Sequence, residues 1–177
     1  MRTPVMARVR NLANWCNLST PLGLAVALIG RARIFRGPRG LWMAEGYRLA
    51  FPVAGAFTLG SVVITASPSW TRIEERQPGL LAHEENHTWQ YAYSLGLLYL
   101  PAYTACMCWS WLRTGDRAAA NFFERAADLA LGGYAHRPTR PVREGLREVG
   151  TLVRRPGTMR RATTRRGRRV PPNTHTD

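Results

Sequence analysis

The sequence predicts an α+β domain in which a small N-terminal sheet is followed by three helices and an Arg-rich C-terminal tail. Three observations predict it. Residues 21–65 hold short apolar or alternating runs separated by GPRG, EGYR and FPVAG, the punctuation expected between strands. Residues 78–133 carry apolar side chains at helical spacing in three segments. From Arg137 the composition shifts: residues 137–177 hold 12 Arg against Glu144, Glu148 and Asp177, a net charge of +9, whereas residues 1–136 hold 13 Arg against eight acids, a net of +5. A chain of 177 residues with 45% hydrophobic content supports one core rather than two, which places the domain at 1–136 and the tail at 137–177.

Taken in order, the apolar run PLGLAVALIG at 21–30 follows Arg2, Arg8 and Arg10 in the manner of a signal peptide. It is succeeded by RARIFRGPRG instead of a small-residue cleavage site, so it reads as strand and hairpin, and the protein as cytoplasmic. Phe57 to Thr65 is the clearest strand, and SPSWTRIEERQPG after it a polar insertion. A helix then starts near Pro78, where a missing N–H costs nothing, and runs to about Tyr93. A second spans Pro101 to Arg113. The third lies in AANFFERAADLALGG, residues 119–133, where Phe122, Phe123, Ala126, Leu129 and Ala130 keep the helical period and Gly132 and Gly133 supply the stop. One short helix is expected around Val142 to Val153, and the last twenty or so residues, without hydrophobic period, read as disordered.

Residues 88–112 contain no charge and are long enough to span a bilayer. Gly96 and Pro101 interrupt them and their Trp and Tyr residues are scattered, which favours burial in the protein or docking of an aromatic-rich face on a membrane surface. The three cysteines, Cys16, Cys106 and Cys108, are an odd number without framework spacing; they read as small buried or half-buried hydrophobes in a reducing compartment.

The chemistry is concentrated in HEENH at 83–87. On a helix His83 and His87 stand one turn apart on one face, so two imidazoles can converge on a metal ion. Glu84, about 100° further round, is placed to act on water beside that metal as a general base. Open zinc sites use three protein ligands, and Glu124 in the third helix is the candidate for the last. Asp128, four residues on, would share its face and accept the outer N–H of a ligating His. Two imidazoles and a carboxylate also suit iron or manganese, but HExxH makes Zn2+ the first expectation. Tyr134 and His136, just past the Glu124 helix, are candidates for the donor that a tetrahedral oxyanion needs.

These residues resemble the gluzincin metallopeptidases, in which HExxH is followed by a helix carrying a Glu ligand and, in the thermolysin-like branch, an Asp four positions later. AFTLGSVVIT at 56–65 followed by GLLAHEENHTWQYAY at 79–93 is similar in layout to the small metallopeptidase-like core domain associated with extracellular contractile injection systems. The similarity covers residues 56–134 at most. It implies a minimal zincin-like fold and a zinc-dependent hydrolase acting on a peptide or protein, with Phe57 to Thr65 as the edge strand that pairs with substrate. Glu85 departs from the pattern, because an apolar residue usually follows the catalytic Glu, and an extra carboxylate there is expected to perturb the metal or the base.

All 25 basic residues are Arg. Their clustering in the tail suits an anionic membrane surface or nucleic acid, although no aromatic residue is interleaved for base stacking. The competing function is therefore a non-enzymatic membrane- or nucleic-acid-associated basic protein whose metal site is structural or silent.

Overall fold

The computed structural model describes residues 5–52 and 54–154. These form an α+β fold with a four-stranded sheet and seven α-helices. Two helices, α1 (Val5–Cys16) and α2 (Ser19–Ile29), precede the sheet, so the N-terminal part is not the purely β segment that its turn residues suggest. The run 21–30, expected as strand and hairpin, is α2. A continuous apolar run carries no period to separate a buried strand from a helix. Here Gly23 and Ala27, one turn apart, form the face that lies on the sheet, and a Cβ on Gly23 would stand 2.5 Å from the Leu59 carbonyl oxygen.

The strands are β1 (Arg33–Arg36), β2 (Trp42–Glu45), β3 (Ala56–Leu59) and β4 (Val62–Thr65), in the order β1-β2-β4-β3. Phe57 to Thr65 is thus a hairpin and not a single strand: Gly60 and Ser61 form its loop, with Gly60 at φ 61° and pressed against the Thr20 backbone. The β2–β4 pair is parallel and the other two pairs are antiparallel. β4 is central and buried throughout, whereas β3 has an unpaired outer edge among the described residues. Alternation divides the core. Ala44, Val62 and Ile64 meet Ala27 of α2 on one face, and Met43 and Val63 meet Leu81 and Trp70 on the other.

The polar insertion forms α3 (Trp70–Arg76), and α4 (Leu80–Tyr93) follows as expected. The Glu74 carboxylate of α3 accepts the backbone N–H groups of Gly79 and Leu81 at 2.8 and 3.1 Å, satisfying donors that the start of α4 would otherwise leave open. The uncharged stretch 88–112 is no continuous rod. It breaks after Tyr93 and resumes with α5 (Tyr99–Thr114), the two halves bent by 115°. No single helix among the described residues is long and apolar enough to cross a membrane. Cys106 is half-buried, but Cys16 and Cys108 are exposed, because their helix faces point outward.

The third helix, α6, covers only Phe122–Ala126. Asn121 caps it through a bond from the Phe123 N–H at 3.0 Å, and Asp128, in the left-handed region at φ 75°, ends it. Beyond Arg137, α7 (Val142–Arg154) packs on α5, with Gly145 directly over the Leu112 backbone. The Arg-rich run 155–177, expected as disordered and as the binder of membrane or nucleic acid, lies outside the described residues.

Candidate metal centre

His83 and His87 project from one face of α4 and meet Glu124 of α6, all three buried. Their partners determine the tautomers. The His83 Nδ1 lies 2.8 Å from the Asp128 carbonyl oxygen and 3.1 Å from that of Ala127; carbonyls only accept, so Nδ1 carries the proton. The His87 Nδ1 lies 2.8 Å from Gln90 Oε1, and the Gln90 amide is oriented by its own donation to the Phe123 carbonyl at 2.8 Å. The Tyr99 hydroxyl donates to the same Oε1 at 3.0 Å. Both Nε2 atoms therefore present lone pairs inward.

Those lone pairs face one another. The two Nε2 atoms are 3.1 Å apart, His83 Nε2 is 3.2 Å from Glu124 Oε2, and His87 Nε2 is 3.7 Å from Glu124 Oε1. Glu124 Oε2 is buried without a hydrogen-bond donor. Three acceptors converging away from water are costly unless a cation sits between them. Ligands of a tetrahedral zinc at about 2.0–2.1 Å stand about 3.3 Å from one another, which the two shorter separations match. The donor set thus fits a divalent metal ion.

The electrostatics agree. Burial alone would lower the His83 pKa, but the neighbouring Glu124 and Glu84 carboxylates outweigh it, and the pKa is raised. Burial would raise that of Glu124, yet His83, His87 and a 2.5 Å bond from the Tyr103 hydroxyl hold it below the usual carboxylate range. A proton can satisfy one pair of these atoms, whereas a metal ion satisfies all three.

Glu84 is buried beside the cluster, where desolvation raises its pKa against the opposing charge of His87 and a hydrogen bond from Thr58. The Thr58 hydroxyl, on the edge strand β3, donates to Glu84 Oε2 at 2.7 Å. Glu85 does not perturb the site as expected, because it points to the opposite side of α4. There Arg10 of α1 donates to it at 2.7 Å and Arg39 binds both of its oxygens. Asp128 is also corrected. Its carboxylate accepts from the Ala130 N–H at 3.0 Å, and only its backbone carbonyl serves His83, because the chain leaves the helix before position 128.

Of the two donors expected after α6, Tyr134 lines the site, its ring 6.1 Å from that of His83, and burial pushes its pKa up. His136 is exposed and does not line the cavity, because it lies in the irregular segment after the Gly133 turn. Thr58, Gln90, Tyr99 and Tyr103 complete the site and were not singled out from the sequence. Gly132, read only as a helix stop, abuts the His83 ring: a Cβ there would be 2.5 Å from Cε1.

A cavity of about 830 Å³ opens onto these groups, large enough for a small ligand or a few residues of peptide. It follows the outer edge of β3, from α2 on one face of the sheet to α4 and α5 on the other, and its walls are chiefly aliphatic and aromatic. Neither protein-family models nor curated proteins nor solved structures match the chain. The functional reading rests on this geometry.

Proposed function

We propose that the protein is a zinc-dependent, peptidase-like hydrolase of minimal gluzincin layout. The observation that carries this reading is the convergence of two imidazole lone pairs and a carboxylate, with a second carboxylate, engaged through only one of its oxygens, buried beside them. His83, His87 and Glu124 would hold the metal. When bound, zinc supplies Lewis acidity, polarising a carbonyl and lowering the pKa of water. Glu84 is the proton acceptor: it is buried beside the cluster, where desolvation raises its pKa, and Thr58 fixes which oxygen stays free. The Tyr134 hydroxyl makes no hydrogen bond among the described residues and is offered to a developing oxyanion. The free edge of β3 offers backbone groups to an extended peptide, and Gln90, Tyr99 and Tyr103 hold the ligand side chains in place.

The test is metal content by inductively coupled plasma mass spectrometry on protein purified without a His tag. About one zinc per chain is expected in the wild type, with loss in His83→Ala and in Glu124→Ala while circular dichroism stays unchanged. Wild-type protein that takes up no metal when zinc is supplied during folding would overturn the proposal.

A further inference from the structure

We infer that the cavity mouth is a docking surface for an anionic lipid bilayer, with α2 lying in the plane of the interface. α2, STPLGLAVALI, carries no charge and is apolar on two sides. Gly23 and Ala27 occupy the side on the sheet; Leu18, Leu22, Ala25 and Ile29, at spacings of four, three and four, form a second stripe. A helix apolar all round belongs in a protein core or in lipid. This one is enclosed on a single side, with Leu18 60% and Ile29 69% exposed.

The stripe continues into the loop after β2. The Arg48 N–H donates to the Gly30 carbonyl at 3.0 Å, the Tyr47 ring occupies the space over Gly30, and the Tyr47 hydroxyl donates to the Phe51 carbonyl at 3.0 Å. These bonds place Leu49, 48% exposed, and Phe51, 80% exposed, beside the end of α2. The result is one projecting apolar fringe.

Its charge identifies the partner. Arg31 and Arg48 flank the fringe, both exposed and in no ion pair among the described residues. In residues 1–73 the sole acid is Glu45, which is buried and bound to Arg33. An apolar fringe bordered by unpaired arginines matches the layering of a bilayer, acyl chains beneath phosphate. Leu22, Ile29 and Phe51 also line the cavity that reaches Glu84. If the proposed hydrolase reading holds, substrate approaches the metal from the membrane side.

The test is co-sedimentation of the full chain with phosphatidylcholine vesicles, with and without phosphatidylglycerol, at low and high salt. High salt screens the Arg tail but not apolar insertion. Wild type should bind the anionic vesicles and keep part of that binding at high salt. L49D/F51D should bind at least about tenfold more weakly, since two large apolar side chains no longer enter the bilayer. R31Q/R48Q should lose most of the preference for phosphatidylglycerol. Both variants change exposed residues, so thermal melting and zinc content should equal wild type; a metal-free wild type that binds this way would sink the hydrolase reading and leave this one standing. Equal vesicle binding by L49D/F51D and wild type would assign binding to the tail alone and overturn the inference. So would absence of wild-type binding, or a dimer in sedimentation that L49D/F51D dissolves.

Discussion

Glu84→Gln is expected to retain zinc and to lose peptide hydrolysis by about 10²- to 10⁴-fold, the range that a positioned general base supplies. Gln keeps an oxygen for the Thr58 hydroxyl, so the packing between α4 and β3 is preserved; what disappears is the carboxylate oxygen that takes up a proton. The measurement is cleavage of a peptide library read by mass spectrometry, with metal content determined on the same samples. Tyr134→Phe is the companion: it should keep zinc and slow turnover without removing it, because the metal would share the stabilisation of the oxyanion. Full turnover in Glu84→Gln would mean that this carboxylate, although buried and close, is no base.

The largest effect on stability is expected from Glu85→Gln, on the opposite side of the same helix. Arg10 has no exposed side-chain surface, and Glu85 is its charge partner at 2.7 Å. Removing one member of a buried ion pair leaves the other uncompensated, at about 3–5 kcal/mol. The lower end applies here, because Arg39, the third member, is partly in water. Arg39→Gln should cost no more than about 1 kcal/mol by the same reasoning. Urea unfolding of the two variants separates them, and equal midpoints would show that Arg10 is solvated after all.

The pH dependence follows from the same triad. Burial would raise the Glu85 pKa, but the hydrogen bonds and charges of Arg39 and Arg10 lower it below the ordinary 4.5. Its stabilisation is present above that value and disappears as pH falls through the folded-state pKa. Acid unfolding of Glu85→Gln should have a shallower slope in this window than that of the wild type.

HEENH and the ERAAD segment made the His83, His87 and Glu124 cluster legible because the geometry is local: spacing of four on a helix brings His83 and His87 together whatever surrounds them. Glu124 was also legible, although α6 holds only five residues, since its Asn121 cap and the buried Phe123 anchor that turn. The inference failed where it extended the helix. Asp128 was assigned by four-residue spacing, but the chain enters the left-handed region there and the carboxylate turns to its own backbone. Thr58 could not be read, because a strand residue's neighbour across a packing interface has no sequence spacing. Gln90 had a signal in its position three residues after His87, on the same helix face. The GS pair between TL and VV likewise marked the β3–β4 hairpin. An unbroken apolar run such as α2 suits either period; Tyr99 and Tyr103 lie in a stretch whose scattered aromatic residues give no spacing that points to His87 or Glu124.

The sequence separations at α4 carry a further consequence. Its side chains are held from partners 75 positions away at Arg10, 26 away at Thr58, 33 away at Phe123 and 45 away at Asp128. No short fragment contains these contacts, so the loop-closure entropy of most of the chain must be overcome before His83, His87 and Glu84 acquire their final orientations. The His83, His87 and Glu124 cluster is therefore a product of the whole cooperative transition. Fraying at one end of α4 is resisted from the far side by a helix at the start of the chain, and the geometry of the cluster and global foldedness rise and fall together.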